Sequence, residues 1–114
     1  MWHLQPQTQE LILNKIFAKV ACELLGVDHV RLYHDQALVK NSSASKTPWH
    51  QDYFYWPIDS SKTVTMWLPL HDCPRNMGTM QFVKGSHMNA NIKAMPISEE
   101  SEQYFLNYIK EAGL

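Results

Sequence analysis

The spacing of apolar residues changes twice along this 114-residue chain, and that change limits the folds it can adopt. Near each end the apolar residues recur at helical intervals, whereas between them they alternate with a period of two. The pattern predicts a helix over residues 8–25, about four strands within 29–83, and a second helix over 98–112. We therefore expect a fold that is mainly β with flanking α-helices.

Residues suited to helix ends support both predicted helices. Thr8 and Ser98 are of the type that accepts hydrogen bonds from first-turn N–H groups, and Gly26 suits the left-handed position that ends a helix. Thr63–Leu70 is β-branched and apolar on both faces, which predicts a strand buried on both sides. The apolar face of the second helix should pack on the rest of the chain through Tyr104, Phe105, Tyr108, Ile109 and Ala112.

Composition excludes several function classes. The hydrophobic content of 45% is that of a globular chain, and the net charge of −1 provides no surface for nucleic acid or an anionic membrane. No apolar run approaches the roughly 20 residues needed to span a bilayer, and the start lacks a signal-peptide pattern. Cys22 and Cys73 form no CxxC pair; one disulfide is conceivable, but reduced thiols are expected. We expect a soluble, cytoplasmic protein.

The sharpest chemical motif is His50-Gln51-Asp52, on a segment predicted to be extended. Residues two apart on extended chain point to the same side, so this imidazole and carboxylate could occupy adjacent positions on one metal ion. Iron(II) oxygenases use such a pair, completed by a second histidine, and leave the remaining positions open. The alternative is a surface turn with an ordinary His–Asp hydrogen bond.

Several spaced segments around this motif resemble one family. They are His34–Lys40, Thr47–Asp52, Tyr55–Pro57, Val64–Leu70, Asn76–Val83 and Lys84–His87. In this order they resemble the iron(II)/2-oxoglutarate dioxygenases of the phytanoyl-CoA dioxygenase family, over residues 24–87. The resemblance implies a partial double-stranded β-helix (a cupin-like jelly roll). It also implies that His50 and Asp52 are two of three iron ligands. The expected reaction is hydroxylation of a small molecule, with 2-oxoglutarate converted to succinate and CO2.

The resemblance also suggests residues for the cosubstrate pocket. Lys40 would pair with a carboxylate of 2-oxoglutarate, Trp67 would form a wall of the pocket, and Gln36 would contact the cosubstrate. Each has a plain structural alternative. Lys40 suits a solvated strand end, Trp67 suits core packing, and Gln36 could satisfy a neighbouring backbone group.

Two groups that the family uses later in its sequence are not found here. No histidine follows His87, and the only arginines are Arg31 and Arg75, so a distal histidine ligand and an arginine clamp for 2-oxoglutarate are both missing. His87 is a further candidate for the third ligand, but the resemblance argues against it, because the family places this Gly-Ser-His outside the metal site. We expect residues 1–114 to form a single, truncated domain.

A truncated barrel has consequences for function. Its open strand edges would allow a second copy of the chain to pair with it. Two other interpretations remain open: an inactive family member that acts as a binding or interaction module, and a metal-independent structural protein with a cupin-like fold.

Overall fold

The computed structural model describes residues 5–89 and 91–113. Its helices are α1 (Pro6–Ile12), α2 (Lys15–Leu25) and α3 (Glu99–Glu111), with short 3-10 helices at Asp52–Tyr55, Arg75–Met77 and Ser86–Met88. Within these described ranges no helix combines the length and the apolar character that crossing a bilayer requires.

The predicted helix over 8–25 is two helices rather than one. Asn14 separates them, because its side-chain oxygen accepts a hydrogen bond from the Ile16 N–H at 2.9 Å and caps the start of α2. Asparagine competes with helical backbone bonding in this way, which favours it at a cap over a helix interior. Thr8 is not the N-cap: α1 begins at Pro6, whose missing N–H costs nothing at a helix start.

The predicted end of the first helical region is confirmed. Gly26 has φ +63° and ψ 48°, the left-handed conformation that glycine adopts without steric cost. The Nζ of Lys62 donates to the carbonyl oxygen of Leu25 at 2.6 Å, so one of the last-turn carbonyls of α2 has a partner outside the helix.

The predicted jelly roll is wrong for the described residues, which contain no β-strand and therefore no sheet. Backbone-to-backbone hydrogen bonds of the described residues outside the helices are local: the bond from the Val27 N–H to the Cys22 carbonyl, for example, joins residues five positions apart. A strand exists only where its N–H and C=O groups pair with those of another strand. The period-two pattern within 29–83 indicates extended chain, but it does not provide the pairing.

Exposure of the apolar side chains agrees with the absence of strands from the described residues. Residues 63–70 were expected to be buried on both faces, yet Val64 is 48% exposed and Leu70 is 82% exposed. Val39 and Phe82, on two other predicted strands, are 88% and 78% exposed. Because these residues form no sheet that a second layer could cover, alternation alone does not bury them.

Contacts divide the chain into two compact units. One contains the described residues up to Asn41 together with Ser60–Met66, and includes α1 and α2. The other contains Ser42–Asp59 and the chain from Trp67 onward, and includes α3 and the His50-Gln51-Asp52 motif.

The helix predicted over 98–112 is present as α3, with Ser98 as its N-cap. The Ser98 and Ser101 side chains each accept a hydrogen bond from the other residue's backbone N–H, at 3.1 and 3.0 Å. This reciprocal capping box satisfies two amide groups at the helix start. Phe105 is buried, as is Met95 in the preceding segment, and these two form the apolar core of the described residues.

Two tyrosines of the predicted apolar face tie α3 to the segment before it. The hydroxyl of Tyr104 accepts from the Lys93 N–H at 3.0 Å, and that of Tyr108 accepts from the side-chain amide of Asn89 at 2.9 Å. Both side chains are half-buried, whereas Ala112 is exposed. The predicted packing of this face is therefore present at its centre and absent at its end.

Phe105 and its neighbour Leu106 allow a matched test of this small core. We expect Phe105→Ala to lower the free energy of unfolding by about 3 kcal/mol, because it removes a buried ring. Leu106→Ala should cost less than about 1 kcal/mol, since Leu106 is 42% exposed on the same helix. Urea titrations followed by circular dichroism measure both, and equal losses would contradict this description of the core.

Candidate metal centre

The side chains of His50 and Asp52 lie next to each other. The distance from His50 Nε2 to Asp52 Oδ1 is 3.1 Å, and the side chains are 26% and 49% exposed, so both can be reached from solvent. The local backbone differs from the one expected, because Asp52 begins a 3-10 helix directly after the extended residue Gln51. The pair therefore meets at the junction of extended chain and a tight turn, and not along a β-strand.

The other ring nitrogen of His50 has a backbone partner. Its Nδ1 lies 2.7 Å from the carbonyl oxygen of Pro48. A carbonyl oxygen can only accept, so Nδ1 carries the proton of this bond. In a neutral ring, Nε2 then presents its lone pair to the carboxylate of Asp52. That contact is favourable when a positive charge accompanies it, either a second ring proton or a cation bound to both atoms.

The pair fits two adjacent positions on a divalent metal ion. Bonds from such ions to nitrogen or oxygen are about 2.1 Å long, and two ligands at right angles are then about 3 Å apart. The observed separation of 3.1 Å is close to this value. Metal-binding histidines also donate their second N–H to a carbonyl or carboxylate, as His50 does to Pro48. An imidazole with a carboxylate suits iron(II), among other first-row metals.

A third protein ligand is not present near this pair in the described part of the chain. Among residues 5–89 and 91–113, no three histidine, cysteine, aspartate or glutamate side chains are grouped so that they could hold an ion. His87 is exposed in the 3-10 helix Ser86–Met88, and the Nδ1 of His71 donates to the carbonyl oxygen of Asp72 at 2.7 Å. Neither completes a three-ligand group with His50 and Asp52.

A glutamate from α3 anchors the segment that leads into the motif. Glu102 Oε1 accepts from the Nζ of Lys46 at 2.5 Å, and Oε2 accepts from the backbone N–H of Trp49 at 2.7 Å. The Lys46 bond, followed by the Trp49 bond, holds the pKa of Glu102 below its usual 4.5, while partial desolvation acts in the opposite direction. Glu102 is therefore a carboxylate at neutral pH, and its side chain is only 15% exposed.

The residues predicted to bind 2-oxoglutarate are divided between the two units. Gln36 and Lys40 are exposed and belong to the unit with α1 and α2. Trp67 is half-buried and belongs to the unit that holds His50 and Asp52. Their contacts with the cosubstrate stay predictions.

Sequence reasoning missed the glutamate that anchors the segment before His50. Glu102 stands 52 positions after His50, in the first turn of a helix, where the helix dipole by itself favours acidic residues. No spacing rule links such distant residues. The one hint of its role is that Glu102 directly follows the buried Ser101 in α3. That burial is known only from the structure.

Comparison with known families agrees with the resemblance in the sequence. The family model for phytanoyl-CoA dioxygenase matches residues 3–111, nearly the whole chain. The chain belongs to the phytanoyl-CoA dioxygenase family. Members of this family are in general iron(II)- and 2-oxoglutarate-dependent oxygenases, which places the chain among the oxidoreductases of the dioxygenase type. No significant match was found among curated proteins or among solved structures.

The lowered pKa of Glu102 predicts how acid affects stability. A carboxylate with a depressed folded-state pKa contributes its full stability above the unfolded value, and loses it as the pH falls from 4.5 through the lower folded pKa. Glu102→Gln should therefore destabilise the chain at pH 7 and do so much less at about pH 3. Urea unfolding at both pH values measures the difference.

Glu100→Gln is the matched control for this measurement. Glu100 is an exposed acid in the same helix turn, so its substitution makes the same charge change without removing the Lys46 and Trp49 bonds. Its effect should depend less on pH. A Glu102→Gln effect that is equally large at both pH values would contradict the role assigned to the ionised carboxylate.

Proposed function

We propose that this chain acts as an iron(II)/2-oxoglutarate-dependent oxygenase domain that hydroxylates a small molecule, with 2-oxoglutarate converted to succinate and CO2. The observation that supports it most is the His50–Asp52 pair, with 3.1 Å between Nε2 and Oδ1 and with Nδ1 engaged by a backbone carbonyl. Family membership supplies the reaction class, and this pair supplies two ligands of the type that the reaction requires.

The residues of the pair have separate tasks in this proposal. His50 would give the iron a neutral nitrogen ligand, and its Nδ1 bond to Pro48 would hold the ring in orientation. Asp52 would give an anionic oxygen that offsets part of the metal charge. Iron(II), when bound, supplies the activation of dioxygen that couples oxidation of 2-oxoglutarate to substrate hydroxylation.

The cosubstrate would be held by residues that the family resemblance suggests. Lys40 is proposed as the cation that pairs with a carboxylate of 2-oxoglutarate, with Trp67 and Gln36 as further contacts. A lysine acts as a point charge and lacks the two-pronged geometry of an arginine. We therefore expect the cosubstrate to be held less tightly than an arginine clamp would hold it.

Aromatic side chains next to the pair would provide an apolar surface for the substrate. Tyr53 and Phe54 follow Asp52 directly and are 53% and 44% exposed. Tyr55, next along the 3-10 helix, is held in place, because its hydroxyl accepts a hydrogen bond from the Ile97 N–H at 2.6 Å. Carbon-rich substrates gain from such a surface, since burial of apolar area is favourable in water.

Turnover of 2-oxoglutarate is the direct test. Purified chain with iron(II), ascorbate and 2-oxoglutarate should release succinate slowly, because two protein ligands hold iron weakly and the arginine clamp is missing. A missing clamp of this kind costs about a hundredfold in affinity for 2-oxoglutarate. His50→Ala and Asp52→Ala should reduce succinate release to the level of a protein-free blank.

His71→Ala is the matched control, since His71 is an exposed histidine whose ring bonds to its own neighbour. It should release succinate at the wild-type rate. Release that is unchanged by His50→Ala would overturn the proposal. Fast release by monomeric wild-type chain would instead show that a third ligand had been missed, and His87→Ala would be the first variant to examine.

A further inference from the structure

Glu102 and His50 lie at the two ends of one hydrogen-bonded chain of groups. Glu102 Oε2 accepts from the N–H of Trp49 at 2.7 Å, and the carbonyl oxygen of Pro48 accepts from His50 Nδ1 at 2.7 Å. The Pro48 carbonyl and the Trp49 N–H belong to the same peptide group, because the bond between these residues joins them. A single peptide therefore connects the carboxylate to the imidazole.

We propose that Glu102 is a positioning residue for His50, which it orients and polarises through the Pro48–Trp49 peptide. A carboxylate that accepts the peptide N–H shifts electron density toward the carbonyl oxygen, since hydrogen bonds in series polarise one another. The carbonyl then accepts more strongly from His50 Nδ1. The result is a ring whose Nε2 is left as the electron-pair donor on the side of Asp52.

This arrangement corresponds to a known way of tuning metal-bound histidines, with one group added. Carboxylates often accept directly from the second N–H of a metal-binding histidine, which fixes the tautomer and makes the ring a better ligand. Here the carboxylate acts one peptide further away. Because the peptide is planar and rigid, it transmits both position and polarisation with little loss of geometry.

Glu102 is held firmly enough for this task. The capping box of Ser98 and Ser101 starts α3, Ser101 is fully buried, and Phe105 packs one turn later. The Lys46 bond occupies the second carboxylate oxygen, so the side chain has two fixed contacts. The lowered pKa of Glu102 keeps it charged at neutral pH, where its polarising effect is largest.

Asp52 and Glu102 favour opposite neutral tautomers of the His50 ring. Its Oδ1 lies 3.1 Å from Nε2 and favours a proton there, whereas the Pro48 carbonyl, at 2.7 Å from Nδ1, favours a proton on the other nitrogen. The populations of the two neutral tautomers therefore report the strength of the peptide relay. They can be measured without any metal, so this test does not depend on the proposed function.

The measurement is the pair of ring 15N shifts of His50, from long-range proton–nitrogen NMR spectra recorded under one set of conditions for every variant. We expect Glu102→Ala and the near-isosteric Glu102→Gln to lower the population protonated at Nδ1 relative to wild type. Glu100→Gln, the same charge change in the same helix turn, should leave it unchanged. The Phe105 amide signal checks that α3 remains folded.

The result that would overturn the proposal is a Nδ1-protonated population that is equal in wild type and Glu102→Gln while the Phe105 signal is unchanged. An equal shift in Glu100→Gln would also overturn it, because a general charge effect would then explain the change. If Glu102 only held the segment in place, Glu102→Gln would change the tautomer population little, since the glutamine side-chain oxygen can still accept from the Trp49 N–H.

A second measurement, which rests on the proposed function, extends the test to the metal. Cobalt(II) serves as an air-stable probe, and its affinity for the chain should fall about tenfold in both Glu102 variants and stay unchanged in Glu100→Gln. Absence of cobalt binding by wild-type chain would count against the proposed function alone. The effect of Glu102 on His50 is tested separately, by the tautomer populations.

Discussion

The carboxylate of Glu102 joins the helical and irregular parts of its unit. It accepts hydrogen bonds from Lys46 and from the Trp49 backbone, and so fixes a segment that forms no regular secondary structure directly before His50. Irregular segments have no ladder of backbone bonds to hold them, so a few side-chain bonds decide their conformation. The His50-Gln51-Asp52 motif depends on this bond because α3 is the one α-helix among the described residues of its unit.

The geometry at His50 and Asp52 follows from two local constraints. The carbonyl of Pro48 turns the imidazole so that Nε2 points away from it, and the 3-10 turn that begins at Asp52 brings the carboxylate to the same side. Neither constraint requires a β-sheet. A pair of ligands two residues apart can therefore adopt chelating geometry even though the jelly roll expected from the family is not present in the described residues.

Local features were predicted better than long-range ones, although the cap assigned to Thr8 and the unbroken helix across Asn14 were wrong. Caps at Ser98 and Gly26 were predictable, because each acts on its own helix end. His50 and Asp52 lie close together as expected, but a 3-10 turn brings them together where an extended strand was expected. The absence of strands could not be predicted, because Val39 or Val64 becomes part of a sheet only if a distant segment pairs with it. The role of Glu102 was hidden for the same reason, since its partners are 53 and 56 positions away.

Divalent-metal chelation by His50 and Asp52 is the claim on which the account of function depends. Titration of 15N-labelled chain with manganese(II) tests it, because the paramagnetic ion broadens the NMR signals of nearby nuclei. If the pair chelates the ion, the signals of His50 and Asp52 should broaden first, at the lowest metal concentration, and Asp52→Ala should remove this selective effect. Broadening that spreads evenly over exposed acids such as Glu99 and Glu111, and that is unaltered by Asp52→Ala, would contradict it.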